Sequence, residues 1–468
     1  MTSTQLLVIG AGPGGYAAAF HAADLGLAVT LIDKDAPLGG VCLNRGCIPS
    51  KALLHAAKTI HEAAAAEKIG ITFGPAVLDI EKLRAWKDAV TRRLTSGLGQ
   101  LALARKITVI QGEARFLHAN AVEIITPSGT QQLTFEHAVI ATGSVPASLS
   151  LLPVSKRVWD STAALALPHI PSSLLVIGGG YIGLELGSAY AALGSTVSII
   201  EALPQLLPAV DKDLADILLR RLRKDFNAVM TGTRVIRAEE TTEGMRITWC
   251  DDKGKESQTV YSQVLVAAGR KPHTGGLGLE HTKVQLTDNG FIEVDHCRRT
   301  DEKNIYAIGD VAGNPMLAHK ASAEAKVAAA TIAGHSAAYA PRCIPSVIYT
   351  DPELAWCGLT EHEALVRNIN ITVSKFPWTA SGRAMSVNRT DGLTKIIADT
   401  ITGRILGVGI VGAGAGELIA EGALAVETGL KADDLASTIH PHPTLSETLM
   451  EAAEGLFGQP THLIPSKK

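Results

Sequence analysis

One local pattern occurs twice in this chain at the same internal spacing, and it limits the fold more than any other feature. The apolar run 6–9 enters Gly10-Ala11-Gly12-Pro13-Gly14-Gly15, and a helical stretch over 16–25, a strand over 28–32 and Asp33 follow. The apolar run 174–177 enters Gly178-Gly179-Gly180-Tyr181-Ile182-Gly183, followed by a helix to Leu193, a strand over 196–200 and Glu201. From position 10 to 33 and from 178 to 201 the interval is 23 in both copies. In a strand–turn–helix context the first glycine makes the turn, the second lets a pyrophosphate approach the backbone, and the third lets helix pack on strand. The acid after the second strand is placed to bind a ribose hydroxyl. One such turn is weak evidence. Two in full context predict two dinucleotide-binding units, and two dinucleotides predict an electron relay, most simply between a flavin and a nicotinamide.

Shortly after the first unit stands Gly39-Gly40-Val41-Cys42-Leu43-Asn44-Arg45-Gly46-Cys47-Ile48-Pro49-Ser50-Lys51. The chain has 6 cysteines in 468 residues, too few for a disulfide scaffold. A disulfide needs Cα atoms roughly 4.4–6.8 Å apart, whereas five steps of regular helix rise about 7.5 Å. If bridged, the segment therefore bends, and Gly46 gives it room. Pro49 suits the first turn of a helix continuing through Ser50 and Lys51, which puts Cys47 at a helix N-terminus. There the free N–H groups and the dipole hold a thiolate. Spacing favours a redox couple over two buried, inert cysteines. No second cysteine pair or nearby histidine completes a metal site.

Aromatic residues are only 4% of the chain while glycines number 45, as expected of an α/β protein with many tight strand–helix turns. Net charge is −3, which leaves no electrostatic footprint for nucleic acid. The chain enters a strand at once, without a cationic leader. The longest uncharged run, 161–184, carries Pro168, Pro171 and four glycines and reads as loop, strand and turn rather than a membrane span. We expect a cytoplasmic protein, in a compartment where a disulfide is usually catalytic or redox-sensing.

Strands are expected at 107–110, 122–125 and 135–140, the last entering Ala141-Thr142-Gly143; the second unit closes with a strand at 263–267 and Ala268-Gly269-Arg270. A strand at 304–308 ends in Gly309-Asp310, where the acid either contacts a ligand or simply makes the turn. Leu317-Ala318-His319-Lys320 opens an alanine-rich helix to Ala333. After a composition break at 335–345 the rest mixes strands (346–349, 395–398, 405–411) with helices (418–427, 432–437) and has no nucleotide turn, so it reads as a separate α+β domain. Near its end, prolines flank His442 in His440-Pro441-His442-Pro443 and hold it out of helix, suited to serve as a general base. In Thr444-Leu445-Ser446-Glu447 the glutamate either orients that histidine or caps the final helix.

Taken together, these motifs resemble the FAD-dependent pyridine-nucleotide disulfide oxidoreductases over essentially the whole length, and within them the enzymes that oxidise dihydrolipoyl groups with NAD. The resemblance rests on the cysteine segment, the two glycine turns, Tyr306-Ala307-Ile308-Gly309-Asp310, Leu317-Ala318-His319-Lys320 and the ending from His442 to Glu447. It implies an α/β protein with two Rossmann-like dinucleotide-binding domains and a C-terminal α+β dimerisation domain. The expected division is 1–150 for FAD, 151–273 for NAD, 274–343 completing the FAD site and 344–468 for dimerisation. By resemblance, Gly10, Gly12, Gly15, Asp33, Gly40, Lys51, Ala114, Gly143, Asp310 and Ala318 would bind FAD. Gly178, Gly180, Gly183, Glu201, Val235 and Gly269 would bind NAD. Cys42 would exchange with substrate, Cys47 would face the flavin, and His442, oriented by Glu447, would be the base. The expected partners are a second copy of the chain and a lipoyl-bearing protein of a 2-oxo acid dehydrogenase or glycine-cleavage complex, with neither nucleic acid nor membrane. Pro441 departs from the alanine common in the family and stiffens the loop. A glutathione-reductase-like enzyme would need basic residues where Glu201 stands; a mercuric-reductase-like one would need a C-terminal cysteine pair, and the last cysteine here is Cys357. A flavoprotein without catalysis is the third alternative.

Overall fold

The computed structural model describes residues 2–464. The first sheet runs Thr108–Gln111, Val29–Asp33, Thr2–Ile9, Gly129–Ile140, Ala121–Thr126, Glu113–His118. Its nucleotide half is parallel, with Ile9 beside both Ile32 and Ile140, and Ala121–Thr126 joins it antiparallel. Leu6, Leu7 and Val8 are all fully buried. A parallel strand covered on both faces reads as an unbroken apolar run rather than an alternating one. The strand Ile305–Ala307 comes from far along the chain and pairs in parallel with Gly129–Ile140. The helix after it, Ala318–Ile332, packs on the first nucleotide helix, Pro13–Asp24. Residues beyond 274 thus complete the first unit in space.

The second sheet repeats the design in parallel order Ala228–Met230, Thr196–Ile200, Ser173–Ile177, Gln263–Val266, Val158–Trp159. An antiparallel ribbon of Arg234–Glu240, Met245–Cys250 and Glu256–Tyr261 is inserted before the strand Gln263–Val266. The last domain is a five-stranded antiparallel sheet ordered Ser346–Ile348, Glu353–Gly358, Ile405–Gly412, Leu393–Asp399, Ile371–Pro377, packed against the helices Ala415–Thr428 and Glu447–Leu456. Lys395, only 1% exposed, reaches out of this sheet to Asp211 and Asp213 at 2.7 Å and Glu361 at 2.8 Å. It fills the acidic group that these carboxylates form and pins the second nucleotide unit to the last domain. Removing one member of such a buried pair costs about 3–5 kcal/mol.

The expected strands and helices form, with ends shifted by a residue or a few. Periodicity missed the long helix Ile80–Ala104 and the antiparallel ribbon. Among the described residues no helix is long and apolar enough to cross a membrane.

Candidate active site

The two glycine turns superpose in their constraints. Gly10 and Gly178 have φ of +100° and +113°, and a Cβ on either would stand 2.4 Å from a carbonyl oxygen, of Ala141 or Ala267. A Cβ on Gly15 or Gly183 would fall 1.7 or 2.1 Å from the carbonyl oxygen of Gly10 or Gly178. The second-strand acids fold back in the same way. Asp33 Oδ2 accepts from Ala11 N at 2.5 Å and Oδ1 from Asp35 N at 2.9 Å. Glu201 Oε2 accepts from Gly179 N and Oε1 from Leu203 N, both at 2.7 Å. Burial raises the Asp33 carboxyl above its usual range, and its two N–H donors oppose the shift.

The cysteine segment is docked directly on the first turn. Gly39 N donates to Ala11 O at 2.8 Å, and a Cβ on Gly40 would lie 2.6 Å from Gly12 Cα. Two backbones touch here, and both Gly39 and Gly40 have positive φ, so side chains are excluded twice over. A short helix, Gly40–Arg45, carries Cys42; Gly46 breaks it at φ −147°, ψ −114°; a new helix, Cys47–Ala65, begins with the second cysteine. The bend expected at Gly46 is therefore present, and Cys47 occupies the first helical position. Both thiols are free and hydrogen-bonded to one another. Their properties diverge. The bond from Cys42, helped against burial by the Lys51 charge, lowers Cys47 to about 7, while that bond and burial push Cys42 above the ordinary thiol range. The proton of a reduced pair belongs to Cys42 and the charge to Cys47.

A cavity of about 380 Å³ connects these parts. Gly10, Gly12, Asp33, Cys42, Cys47, Lys51, Gly143, Asp310 and Ala318 all line it. Asp310 accepts from Ser144 Oγ at 2.5 Å. The turn carrying it is braced by Glu324, fully buried, which accepts from Gly309 N at 2.7 Å and pairs with Arg298 and Lys320. Lys51 pairs with Glu185 at 2.8 Å, and Glu185 also accepts from Tyr349 N at 3.0 Å. The cavity fits an extended dinucleotide flavin. Glycine backbone lines it at the turn and at Gly143, whose φ is +71° with nothing within 4 Å of a built Cβ, and both cysteines line it as well.

Ala114 lies apart from this cavity, buried in the strand Glu113–His118. Gly180 and Gly269 are open, a Cβ built on either meeting nothing within 4 Å, and they sit next to Tyr181 and Arg270, which line the cavity. Val235 lies half-buried in the inserted ribbon. His442 is not brought to the cysteines within one chain. Its imidazole is 75% exposed on the last domain, with Nδ1 2.9 Å from Glu447 Oε1. Glu447 Oε2 accepts from Thr444 N at 2.7 Å in the loop before the helix. The helix begins at Glu447 after Ser446 with no side-chain cap, and Thr444 Oγ1 donates to Pro441 O, so the glutamate orients the histidine and the full capping box does not form. Burial raises the Glu447 carboxyl, and the Thr444 N–H and His442 outweigh it and leave the group below its usual range.

Sequence reasoning missed Glu185, Ser144 and the Lys320–Glu324 pair. Glu185 had a signal, since it is the one charge in the otherwise apolar helix Tyr181–Ala192. Lys320 and Glu324, four apart in an alanine-rich helix, look like a solvated surface pair and are buried instead.

The pyridine nucleotide-disulphide oxidoreductase family matches residues 4–325, and the dimerisation domain of that family matches 344–453. A curated relative named dihydrolipoyl dehydrogenase, from Thermus scotoductus, is 47% identical over 99% of this chain and 100% of its own. Another of that name, from Buchnera aphidicola of Schizaphis graminum, is 44% identical over 99% and 98%. The crystal structure of LpdA from Mycobacterium tuberculosis has a TM-score of 0.89 at 26% identity, covering 97% of this chain and 100% of that one.

Proposed function

This chain belongs to the pyridine nucleotide-disulphide oxidoreductase family, and from that premise we propose that it oxidises protein-bound dihydrolipoyl groups to lipoyl with reduction of NAD. FAD and NAD are its cofactors, a lipoyl-bearing protein of a 2-oxo acid dehydrogenase or glycine-cleavage complex its partner, and it works as a homodimer. We place it in the cytoplasm, where dithiol substrates stay reduced. When bound, FAD supplies the two-electron acceptor between the cysteine dithiol and NAD.

The residues act as follows. His442 takes a proton from one substrate thiol, and Glu447 on Nδ1 holds the ring and favours its charged form. The thiolate attacks the Cys42 sulfur of an oxidised Cys42–Cys47 pair, and the bond to Cys47 breaks. A thiol held near 7 leaves readily as thiolate, so the asymmetry of the pair sets the direction of attack. The second substrate thiol then attacks the first substrate sulfur and displaces Cys42, and its proton passes to Cys42, whose raised affinity calls for it. Two electrons have passed from substrate to cysteines, and the substrate leaves as a disulfide. Lys51, paired with Glu185, keeps positive charge beside the Cys47 thiolate. Asp33 and the glycines of the first turn would hold the adenosine end of FAD and Gly143, Asp310 and Ala318 the rest of it, while Ala114, apart from the cavity, would contribute only through its backbone. The second turn with Glu201, Val235 and Gly269 holds NAD, and the carboxylate disfavours a 2′-phosphate. We assign 1–150, 151–273, 274–343 and 344–468 to FAD binding, NAD binding, completion of the FAD site and dimerisation.

The single observation that carries this reading is the cysteine pair seated on the first glycine turn inside the cavity. NAD reduction with dihydrolipoamide tests it against glutathione. Turnover with dihydrolipoamide and none with glutathione is expected; the reverse would overturn the assignment.

A further inference from the structure

Of the four cysteines outside the cavity, two meet each other. Cys343 lies in the connection that enters the last domain, three residues before the strand Ser346–Ile348, and Cys357 lies in the next strand, Glu353–Gly358. Antiparallel pairing of Ser346 with Trp356 brings the approach to the first strand beside the end of the second. The Cys357 thiol is hydrogen-bonded to the Cys343 sulfur, and Cys343 Sγ in turn donates to Ala423 O at 3.6 Å. Both belong to one apolar cluster, with Cys357 1% exposed and Cys343 half-buried at its edge. Of the other two cysteines, Cys250 donates to the main-chain oxygen of Asp251 and Cys297 to that of Ala337.

We propose that Cys343 and Cys357 are a second oxidisable dithiol, which hydroperoxides convert to an intrachain disulfide across the edge of the last domain's sheet. The two thiols repeat the division of labour of the first pair. Accepting the bond from Cys357 holds Cys343 below the ordinary thiol range, and burial with that same bond holds Cys357 above it. The outer sulfur is therefore both the more accessible and the more nucleophilic. Its thiolate attacks the terminal oxygen of the peroxide, the O–O bond breaks with alkoxide leaving (hydroxide from hydrogen peroxide), and the sulfur becomes a sulfenic acid. The Cys357 sulfur attacks that sulfenic sulfur, the S–S bond forms, and the sulfenic oxygen leaves as water with the Cys357 proton. In sum the dithiol loses two electrons and two protons, and one hydroperoxide is reduced to water and an alcohol, or to two waters when it is hydrogen peroxide. The bridge ties the connection from the nucleotide units to the edge of the sheet. None of the dithiol oxidation assigned to Cys42 and Cys47 depends on it.

The test uses reduced FAD-loaded enzyme treated with hydrogen peroxide, quenched with iodoacetamide and mapped by mass spectrometry. Residues 343–367 form one tryptic peptide carrying both thiols. It is expected unalkylated and lighter by two hydrogens, with its halves still joined after cleavage at Glu353 until dithiothreitol is added. Cys250 and Cys297 are expected to stay alkylatable. In Cys343→Ser no joined product forms. In Cys357→Ser, Cys343 is expected to be trapped by dimedone as the sulfenic acid. Full alkylation of Cys343 and Cys357 in peroxide-treated wild-type enzyme, or their linkage to other cysteines, would overturn the proposal without touching the assigned activity.

Discussion

The two glycine turns share strand register, glycine geometry and the fold-back of their acids, and differ in what is packed on them. The first is walled by the cysteine segment, with Gly40 against Gly12, and by the helix starting at Ala318. The second has the side chains of Leu206 and Glu201 beside Gly179 and nothing beside Gly180. The backbone device supplies N–H donors and room for a pyrophosphate in either place. The neighbour decides the rest. A walled turn suits a resident redox group facing two sulfurs, and an open one suits a cofactor that arrives and leaves at each turnover.

The sharpest way to break the comparison concerns the wall itself, because the cysteines and the base lie on different domains. His442 is 75% exposed in the single chain and does not line the cavity, so the base is read as serving the other subunit of the dimer. Cys42→Ser and His442→Ala homodimers are each expected to lose dithiol oxidation, the second by about 10²–10⁴. Mixed dimers with shared sites carry one doubly damaged and one intact site. After random subunit exchange, roughly a quarter of the sites, and of wild-type activity, should return. Exchange shown by mass spectrometry without returning activity would place each site within one chain.

Next in size is the exchange of roles between the two acids. Glu201→Gln should raise KM for NAD by about tenfold or more, the worth of a hydrogen bond to a charged group, and narrow the preference over NADP, while the protein stays yellow. Asp33→Asn should do the opposite, shedding FAD on gel filtration while NAD affinity in the fraction that keeps it is unchanged. If both substitutions release FAD, the turns are not independent sites.

A smaller effect concerns the sulfur that the first wall presents. The hydrogen bond from Cys42 is the largest cause holding Cys47 near 7. Cys42→Ala removes the donor and should move the Cys47 midpoint upward, toward the ordinary thiol value of about 8.5. Thiolate absorbance of the reduced, FAD-free protein should then appear at higher pH than in wild type. An unmoved midpoint would assign the shift to Lys51 and the helix start instead.

How much of this was legible in the sequence follows from the range of each interaction. The glycine turns, their acids and the bend at Gly46 were readable because their causes lie within a few residues, in φ sign and close approach. The contact of Gly40 with Gly12 was not, since it joins segments 28 positions apart whose glycines each have a local explanation. Glu185 and Glu324 stayed hidden for the same reason. Their partners Lys51 and Arg298 come from other elements, and helix period alone places a charge on a face without saying whether that face is covered. The pair Cys343 and Cys357 has no motif spacing, and only strand pairing brings the two together.

The sequence left Glu447 two readings, and in the structure it holds the histidine and the loop before the helix without closing a capping box, so its substitution has the smallest and most divided effect. One oxygen faces His442 at 2.9 Å and the other takes Thr444 N at 2.7 Å. Its carboxyl lies below the usual range, so it is ionised throughout the neutral region and favours the protonated imidazole. Glu447→Gln keeps the size and one acceptor but loses the charge. If the remaining oxygen stays on Thr444 N, the turn survives and the histidine loses its partner. Activity should then fall by about tenfold, the equivalent of a 1.4 kcal/mol loss, with Tm nearly unchanged. If the oxygen turns to His442, activity holds and Tm falls by about a degree or a few, what losing one hydrogen bond in the loop costs. Measuring both on one sample separates orientation of the base from support of the loop that carries it, and a variant unchanged in both would mean that neither contact matters in solution.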